Sequence, residues 1–391
     1  MKILHTSDWH LGHSLYSYNR EDEYRDFISQ LSEIIHREMP DAVLISGDIF
    51  DSALPSLSAR RLWTDALISI KNAHPDVIIV ATAGNHDSGS NLDVTSPLLK
   101  EDFHIIGRKH SFVRIEDSSG LGMMICAVPF ISENGYRSRL PEELRTVDDP
   151  RRTYYEWVLA EGSKQSRKDD VIVLMAHEAI SNSTFNGQEK YNFNFSELDV
   201  LGKGYNYLAL GHIHCPQILA RTECSLAAYS GSPIPMGFDE DFVHSVSIVE
   251  FSNKYAAPSI RNLHINQMRP LLTLPEAPIQ ESEAIDYAKK LISSNVTGYL
   301  RLNVCSNRPL PSLHTRLQNI FSETDLRFCL LKYNQDGDKT LNAKQVPTLS
   351  IQDLQTVDPM TLALNYYQRK TGTEMDEDMR KCLLDIINES E

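Results

Sequence analysis

Five short stretches of this chain place carboxylate, amide or imidazole side chains directly after an apolar run. The first is Asp8-x-His10. Two residues apart in an extended segment, both side chains leave the same side of the backbone. The others are Gly47-Asp48-x-x-Asp51, Gly84-Asn85-His86-Asp87, Ala176-His177 and Gly211-His212-x-His214. Any one alone reads as an ordinary polar turn. Five in succession, each ending an apolar segment, read as one site gathered from distant parts of the chain. Oxygen and nitrogen ligands with no thiolate suit two divalent ions such as manganese, iron or zinc, and disfavour calcium or a structural zinc. Two dications outweigh the charges of Asp8 and Asp48. The surplus suits a phosphate diester undergoing displacement at phosphorus.

Such groups meet only if parallel strands end along one edge. Residues 3–4, 42–45 and 77–80 are short β-rich apolar runs. Between them, residues 21–38 carry Phe27, Leu31, Ile34 and Ile35 at helical spacing, stopped by Pro40, and residues 60–71 form a second helix. Strand, polar turn, helix in repetition is an α/β layout. Past residue 100 the strands shorten and read as hairpin-like, at 104–106, 112–115 and 123–128. A polar loop with a helical piece (133–153) leads to a helix at 154–161. Strands follow at 171–175, 207–210 and 227–230. Residues 243–251 alternate like an edge or sandwich strand.

After Asn266 the composition changes. A strand at 268–274 meets Pro275 and Pro278, which mark a joint. A helix (281–293), a strand (298–304), a helix (311–322) and a strand (326–333) follow, a small α/β unit with no chemistry of its own. Residues 334–345 are polar and read as a linker. In 358–391, Asp358 and Pro359 start a helical hairpin whose apolar faces cannot both be buried by two short helices alone. The organisation expected is 1–267 as the main domain, 268–334 as a second, 335–357 as a linker and 358–391 as partner-binding helices.

The 391 residues are 41% hydrophobic and 23% charged, ordinary for a globular chain. No apolar run is long enough to span a membrane, and the first residues lack an apolar leader core, so the expectation is a cytoplasmic protein. Six scattered cysteines without a Cys-x-x-Cys pair fit reduced thiols. Cys215, beside His214, reads as a packing thiol, and His13 as an exposed loop residue. A net charge of −15 argues against indiscriminate nucleic-acid binding but leaves room for a local positive site. Asp51 serves the site or caps the following helix.

The five motifs resemble those of the calcineurin-like metallophosphoesterases. Ser7-Asp8-Trp9-His10-Leu11-Gly12, Gly47-Asp48-Ile49-Phe50-Asp51 and Gly231-Ser232-Pro233-Ile234-Pro235 narrow the resemblance to the bacterial SbcD-type nuclease subunits. It covers residues 1–240 closely and the rest more loosely, and Ala176 stands where that family more often has glycine. The resemblance implies a four-layer sandwich of two mixed sheets flanked by helices, a small α/β capping domain and a C-terminal helical hairpin. It implies that Asp8, His10, Asp48 and His214 hold one metal and Asp48, Asn85, His177 and His212 the other, Mn2+ above all. It implies that His86 faces the scissile phosphate as acid or donor, with Asp51 holding it. The activity implied is exo- and endonucleolytic cleavage of DNA, with an SbcC-type coiled-coil ATPase as partner.

Basic positions that could follow a DNA backbone are Arg60, Arg61, Arg108, Lys109, Arg137 and Arg139. Apolar faces near 62–70 and 92–99 suggest a homodimer. Two other readings compete: a phosphodiesterase for small phosphate esters, which has no need of tethered helices, and a metal-free scaffold, which has no need of seven ligands.

Overall fold

Strand alternation sorts the apolar residues onto two faces, and that sorting builds the layers. The computed structural model describes residues 1–95, 101–181, 183–185, 195–334 and 380. In chain order the elements begin with β1 (Lys2–Thr6), α1 (Glu21–Glu38), β2 (Ala42–Ser46), α2 (Leu57–Ala73), β3 (Ile78–Thr82), α3 (Gly89–Thr95) and β4 (Phe103–Ile106). Then come β5 (Ser111–Glu116), β6 (Gly122–Ala127), α4 (Tyr136–Arg139), α5 (Pro150–Gln165), β7 (Val171–His177), β8 (Tyr207–Gly211), β9 (Gln217–Arg221) and β10 (Leu226–Tyr229). The last are β11 (Ser245–Glu250), β12 (Ser259–His264), β13 (Leu271–Gln280), α6 (Ala284–Ser293), β14 (Gly298–Cys305), α7 (Pro311–Phe321) and β15 (Leu326–Asn334).

Two six-stranded mixed sheets stack, in the orders β12-β11-β1-β2-β3-β4 and β5-β6-β7-β8-β10-β9. On β2, Val43 and Ile45 pack under α1 and α2, while Ala42 and Leu44 turn toward the other sheet. On β7, Ile172, Leu174 and Ala176 pack under α5, while Val171, Val173 and Met175 turn inward. The result is helices, sheet, sheet, helix: the four layers expected. Helix α1 buries Phe27, Leu31 and Ile35 and ends with Met39 left-handed before Pro40. Leu31 is fully buried, so its truncation to Ala should cost roughly 2–5 kcal/mol.

A third sheet, β13-β14-β15, is parallel throughout and carries α6 and α7 over its own core of Leu300, Leu302, Leu313, Leu317 and Phe328. Residues 1–334 form one compact unit. The linker and helical hairpin expected from 335 onward lie outside the described residues, apart from Arg380, which is helical.

Three expectations need correction, and two open alternatives resolve. β4 is no hairpin strand: it adds to β3 in parallel. Of the two readings open to β11, edge or sandwich strand, the second holds, because β12 covers it antiparallel. Pro275 and Pro278 do not mark a joint. They lie inside β13 where its register with β14 shifts, and an edge strand tolerates missing N–H donors. The 62–70 face is not free: Leu62, Leu67 and Ile70 are buried against the first sheet. Of the two roles open to Asp51, the cap is taken by another residue: Ser56 caps α2, accepting from the Ala59 N–H.

Candidate metal centre

Parallel strands of both sheets end along one edge, and their following loops interlock. The N–H groups of Asp8, His10 and Leu11 donate to the carbonyls of Gly47, Asp48 and Ile49 at 3.0, 3.0 and 2.9 Å. The Asp87 carboxylate accepts from the N–H groups of Ile49, Phe50 and Gly84, so the loop after β3 is tied to the loop after β2. Asp8, His10, Asp48 and His212 all have positive φ, between 47° and 99°. Non-glycine residues rarely adopt this region, and they keep it where the surroundings dictate it at a functional site. A Cβ on Gly84 would stand 2.1 Å from Asp48 Oδ1, and one on Gly47 would stand 2.2 Å from His177 Nδ1. These glycines let two loops close on the ligands.

Alternation along β7 turns His177 inward with Val173 and Met175. Its Nδ1 donates to the Ser46 carbonyl at 2.8 Å, leaving Nε2 3.0 Å from Asn85 Oδ1 and 3.3 Å from Asp48 Oδ2. His212 Nδ1 lies 2.8 Å from the same Asn85 oxygen. On the other side, Asp8, His10 and His214 bring ligand atoms within 4.8 Å of one another, as do His10, Asp48 and His86. The structure thus brings together all seven expected ligands and His86.

The donor set fits divalent cations. His10 Nε2 is buried, has no hydrogen-bond partner and sits 3.8 Å from Asp48 Oδ2. Around Asn85 Oδ1, imidazole and carboxylate lone pairs converge in a way that only protons or a cation between them can relieve. Burial opposes a charged Asp48, yet the charges and hydrogen bond of His177, with His10 and His86, hold its carboxyl well below the usual range. His177 shows the converse. Burial lowers it, and Asp48 raises it to about 9. His212 is held down to about 3, by burial first and the His177 charge second. Asp87 is pushed up to about 6 by burial and by the Asp48 charge.

His86 is exposed, as a group meeting substrate should be. Its Nδ1 donates to the backbone carbonyl of Asp51 at 2.9 Å, not to the Asp51 carboxylate. That carboxylate lies 3.6 Å from His10 Nδ1 instead. His13 is half-buried, 3.5 Å from Arg20 Nη1, and Cys215 is half-buried as well. Motif reading missed Glu240. Its side chain is only 5% exposed and its Oε1 accepts from His214 Nδ1 at 2.6 Å. Burial would raise the Glu240 carboxyl, but the hydrogen bond and charge of His214, with His244 and the Met236 N–H, bring it below its ordinary value. A carboxylate behind a ligating imidazole fixes its tautomer and raises its basicity. The one available signal was an acidic residue shortly after the Gly231–Pro235 loop.

A cavity of about 120 Å³ adjoins this floor, lined by Asn85, His177, His212, Phe130, Glu133 and Arg151 among others. Arg108, Lys109 and Arg139 line a separate cleft of about 780 Å³ at the end of β4.

Residues 1–216, more than half of the chain, match the family model for calcineurin-like phosphoesterases. The protein named as the SbcD component of the nuclease SbcCD in Bacillus subtilis (strain 168) is 27% identical over 406 residues, covering 99% of this chain and 98% of that protein. Its namesake in Escherichia coli (strain K12) is 25% identical over 405 residues, covering 98% and 96%. A DNA double-strand break repair protein of Methanopyrus kandleri is 26% identical over 251 residues, covering 61% of this chain and 50% of that one. With its five motifs gathered on one edge of a four-layer sandwich, the chain belongs to the calcineurin-like phosphoesterase family.

Proposed function

We propose that the chain is the nuclease subunit of an SbcCD-type complex and hydrolyses DNA phosphodiester bonds with two divalent ions, manganese foremost. The observation that carries this is the convergence of seven ligand side chains from five strand ends. Near end-to-end likeness to the SbcD components of SbcCD nucleases supplies the polymer and the partner. Asp8, His10, Asp48 and His214 would hold one ion, and Asp48, Asn85, His177 and His212 the other. Bound there, the pair would neutralise the diester and activate water for displacement at phosphorus.

The chain's own residues do the rest. Because a carbonyl only accepts, the Asp51 backbone commits His86 Nδ1 as a donor and leaves Nε2 as the ring nitrogen for substrate. As imidazolium, His86 would donate Nε2–H to a non-bridging oxygen or to the leaving oxygen. Asp51 orients two histidines at once, His86 through its carbonyl and His10 through its carboxylate. Residues 1–267 act as the nuclease domain, 268–334 as the cap, 335–357 as the linker and 358–391 as the helices that dock on an SbcC-type coiled-coil ATPase. Among the described residues no helix is long and apolar enough to cross a membrane. We place the complex in the cytoplasm, as a homodimer joined near the exposed Leu54, Leu57, Ile68 and Val94.

The test is full-length protein purified with manganese, assayed on linear duplex and hairpin DNA with and without the ATPase. Resection of ends and opening of hairpins, both lost on chelation, are expected. His86→Ala should keep two ions and cut neither substrate. Normal cutting by that variant refutes the acid assignment. Hydrolysis of bis(p-nitrophenyl) phosphate without any DNA cleavage refutes the nuclease reading.

A further inference from the structure

Five hydrogen bonds, buried or half-buried, connect the third sheet to His214 without a gap. Tyr299, fully buried on β14, donates its hydroxyl to Glu23 Oε1 at 2.6 Å. Glu23 Oε2 accepts from Arg20 Nε at 2.7 Å. Arg20 Nη1 donates to the Pro235 carbonyl at 2.7 Å. The N–H of Met236, the other half of that same peptide unit, donates to Glu240 Oε2 at 2.8 Å. Glu240 Oε1 then holds His214 Nδ1 at 2.6 Å.

We propose that the seating of the β13–β15 sheet on the core is transmitted to one of the two metal positions, that of Asp8, His10 and His214, through this relay, with Arg20 and Glu240 as positioning residues. The inference rests on the metal-centre reading above and goes beyond it.

Three features favour transmission over incidental packing. One peptide plane, 235–236, is gripped on both polar edges, its oxygen by Arg20 and its N–H by Glu240. It cannot tilt without loosening one of them. Every link but the peptide itself is charge-assisted, and such bonds are short, directional and costly to break out of water. The node beneath the sheet is also unbalanced. Arg20, Arg269 and Arg327 surround the single carboxylate of Glu23. A buried ion cluster of this kind adds little net stability but is strongly sensitive to losing one partner. Tyr299 also accepts from Arg327 at 2.7 Å, so β14 and β15 report to Glu23 together.

Coupling is reciprocal in binding free energy, which gives two readouts other than catalysis. The first is manganese affinity by titration calorimetry of the full-length protein. Glu240→Gln should weaken one of two ions roughly 10–100-fold. Tyr299→Phe, made in the third sheet, should weaken the same ion roughly 3–10-fold and leave the other unchanged. Arg20→Lys keeps the charge but cannot reach Glu23 and Pro235 together, and should act likewise. Tyr333→Phe is the control: its oxygen accepts from the Leu310 N–H within the same unit, off the relay. It should bind both ions as the parent does. The second readout is hydrogen exchange: manganese should slow amides of β14 and β15 in the parent, less so in Tyr299→Phe. Two ions in the parent with Tyr299→Phe and Arg20→Lys unchanged overturn this inference alone. Equal weakening of both ions, or equal effects of Tyr299→Phe and Tyr333→Phe, do so too. Fewer than two ions in the parent overturn the metal-centre reading and this inference with it.

Discussion

The two halves of the metal floor are built from the same residue types but backed differently. Behind His214 stands the Glu240 carboxylate at 2.6 Å, and beside His10 the Asp51 carboxylate at 3.6 Å. Behind His177, among the described residues, stands the Ser46 carbonyl at 2.8 Å, and its Nε2 faces the neutral amide of Asn85. Asp48 stands between the halves, 3.8 Å from His10 and 3.3 Å from His177. Both kinds of backing orient the ring and raise its basicity, but a carboxylate also adds negative charge near the ion. The half around His214 should therefore grip its ion harder, and the half around His177 should exchange its ion more readily. Equal backing would have made two equivalent positions. This arrangement should make a firm one and a loose one, with the cavity on the side of His177 and His212.

The largest effect should come from removing what the halves share. Asp48→Ala should strip both ions and depress cleavage beyond the roughly 10–100-fold that loss of a backing group costs. Elemental analysis after gel filtration decides it: one ion retained at full affinity would show that Asp48 is not common property. Gly84→Ala should come next. Its Cβ would sit 2.1 Å from Asp48 Oδ1, so the loop carrying Asn85 must retreat, and the loose half should empty before the firm one. A variant that still binds two ions would mean the loop yields without moving its ligand. A smaller effect separates the halves directly. Under graded chelation the parent should release one ion roughly tenfold more easily than the other. His177→Ala should keep the tight ion, and His214→Ala the weak one. The reverse order would invert the comparison.

The floor was legible because the expected ligands and His86 lie within four positions of a strand end, where local geometry fixes direction. Helix α1 and strands β2 and β3 were legible for the same reason: period and punctuation agree. The backing was not. Glu240 stands in an irregular loop and acts on a histidine 26 residues earlier, a contact that only the tertiary fold creates. Arg20 and Glu23, at the start of α1, are buried, and Glu23 meets Tyr299 of β14, a contact that no local pattern announces. Strands β9 and β12 carry half-exposed, irregular side chains with no clean alternation, so no period announces them. The missed β12 is also why edge and sandwich both stayed open for β11. For Asp51 the residue was named but not the atom. Spacing cannot say whether a backbone carbonyl or a side chain will make a contact.

The smallest expected effect tests the neutral backing of the loose half. His5 is buried between the sheets, with Nδ1 2.8 Å from the Tyr207 hydroxyl and Nε2 3.1 Å from the hydroxyl of Ser46, the residue whose carbonyl orients His177. Burial holds the imidazole down to about 3, against 6.5 when exposed. The unfolded chain therefore takes up a proton below 6.5 that the folded chain refuses. Stability is unaffected by His5 well above 6.5 and falls as the pH drops below it, continuing until about 3. Between pH 7 and pH 6 the loss is roughly 0.7 kcal/mol. Urea unfolding of metal-free protein at both values, parent against His5→Gln, measures it, since the variant cannot titrate there. The parent should lose more, whatever the absolute stability of the variant. Because folded His5 stays neutral over this range, lowering the pH from 7 to 6 should shift the affinity of either ion equally in the parent and in His5→Gln. Identical pH slopes of stability in the two proteins would mean that His5 is not held neutral by burial.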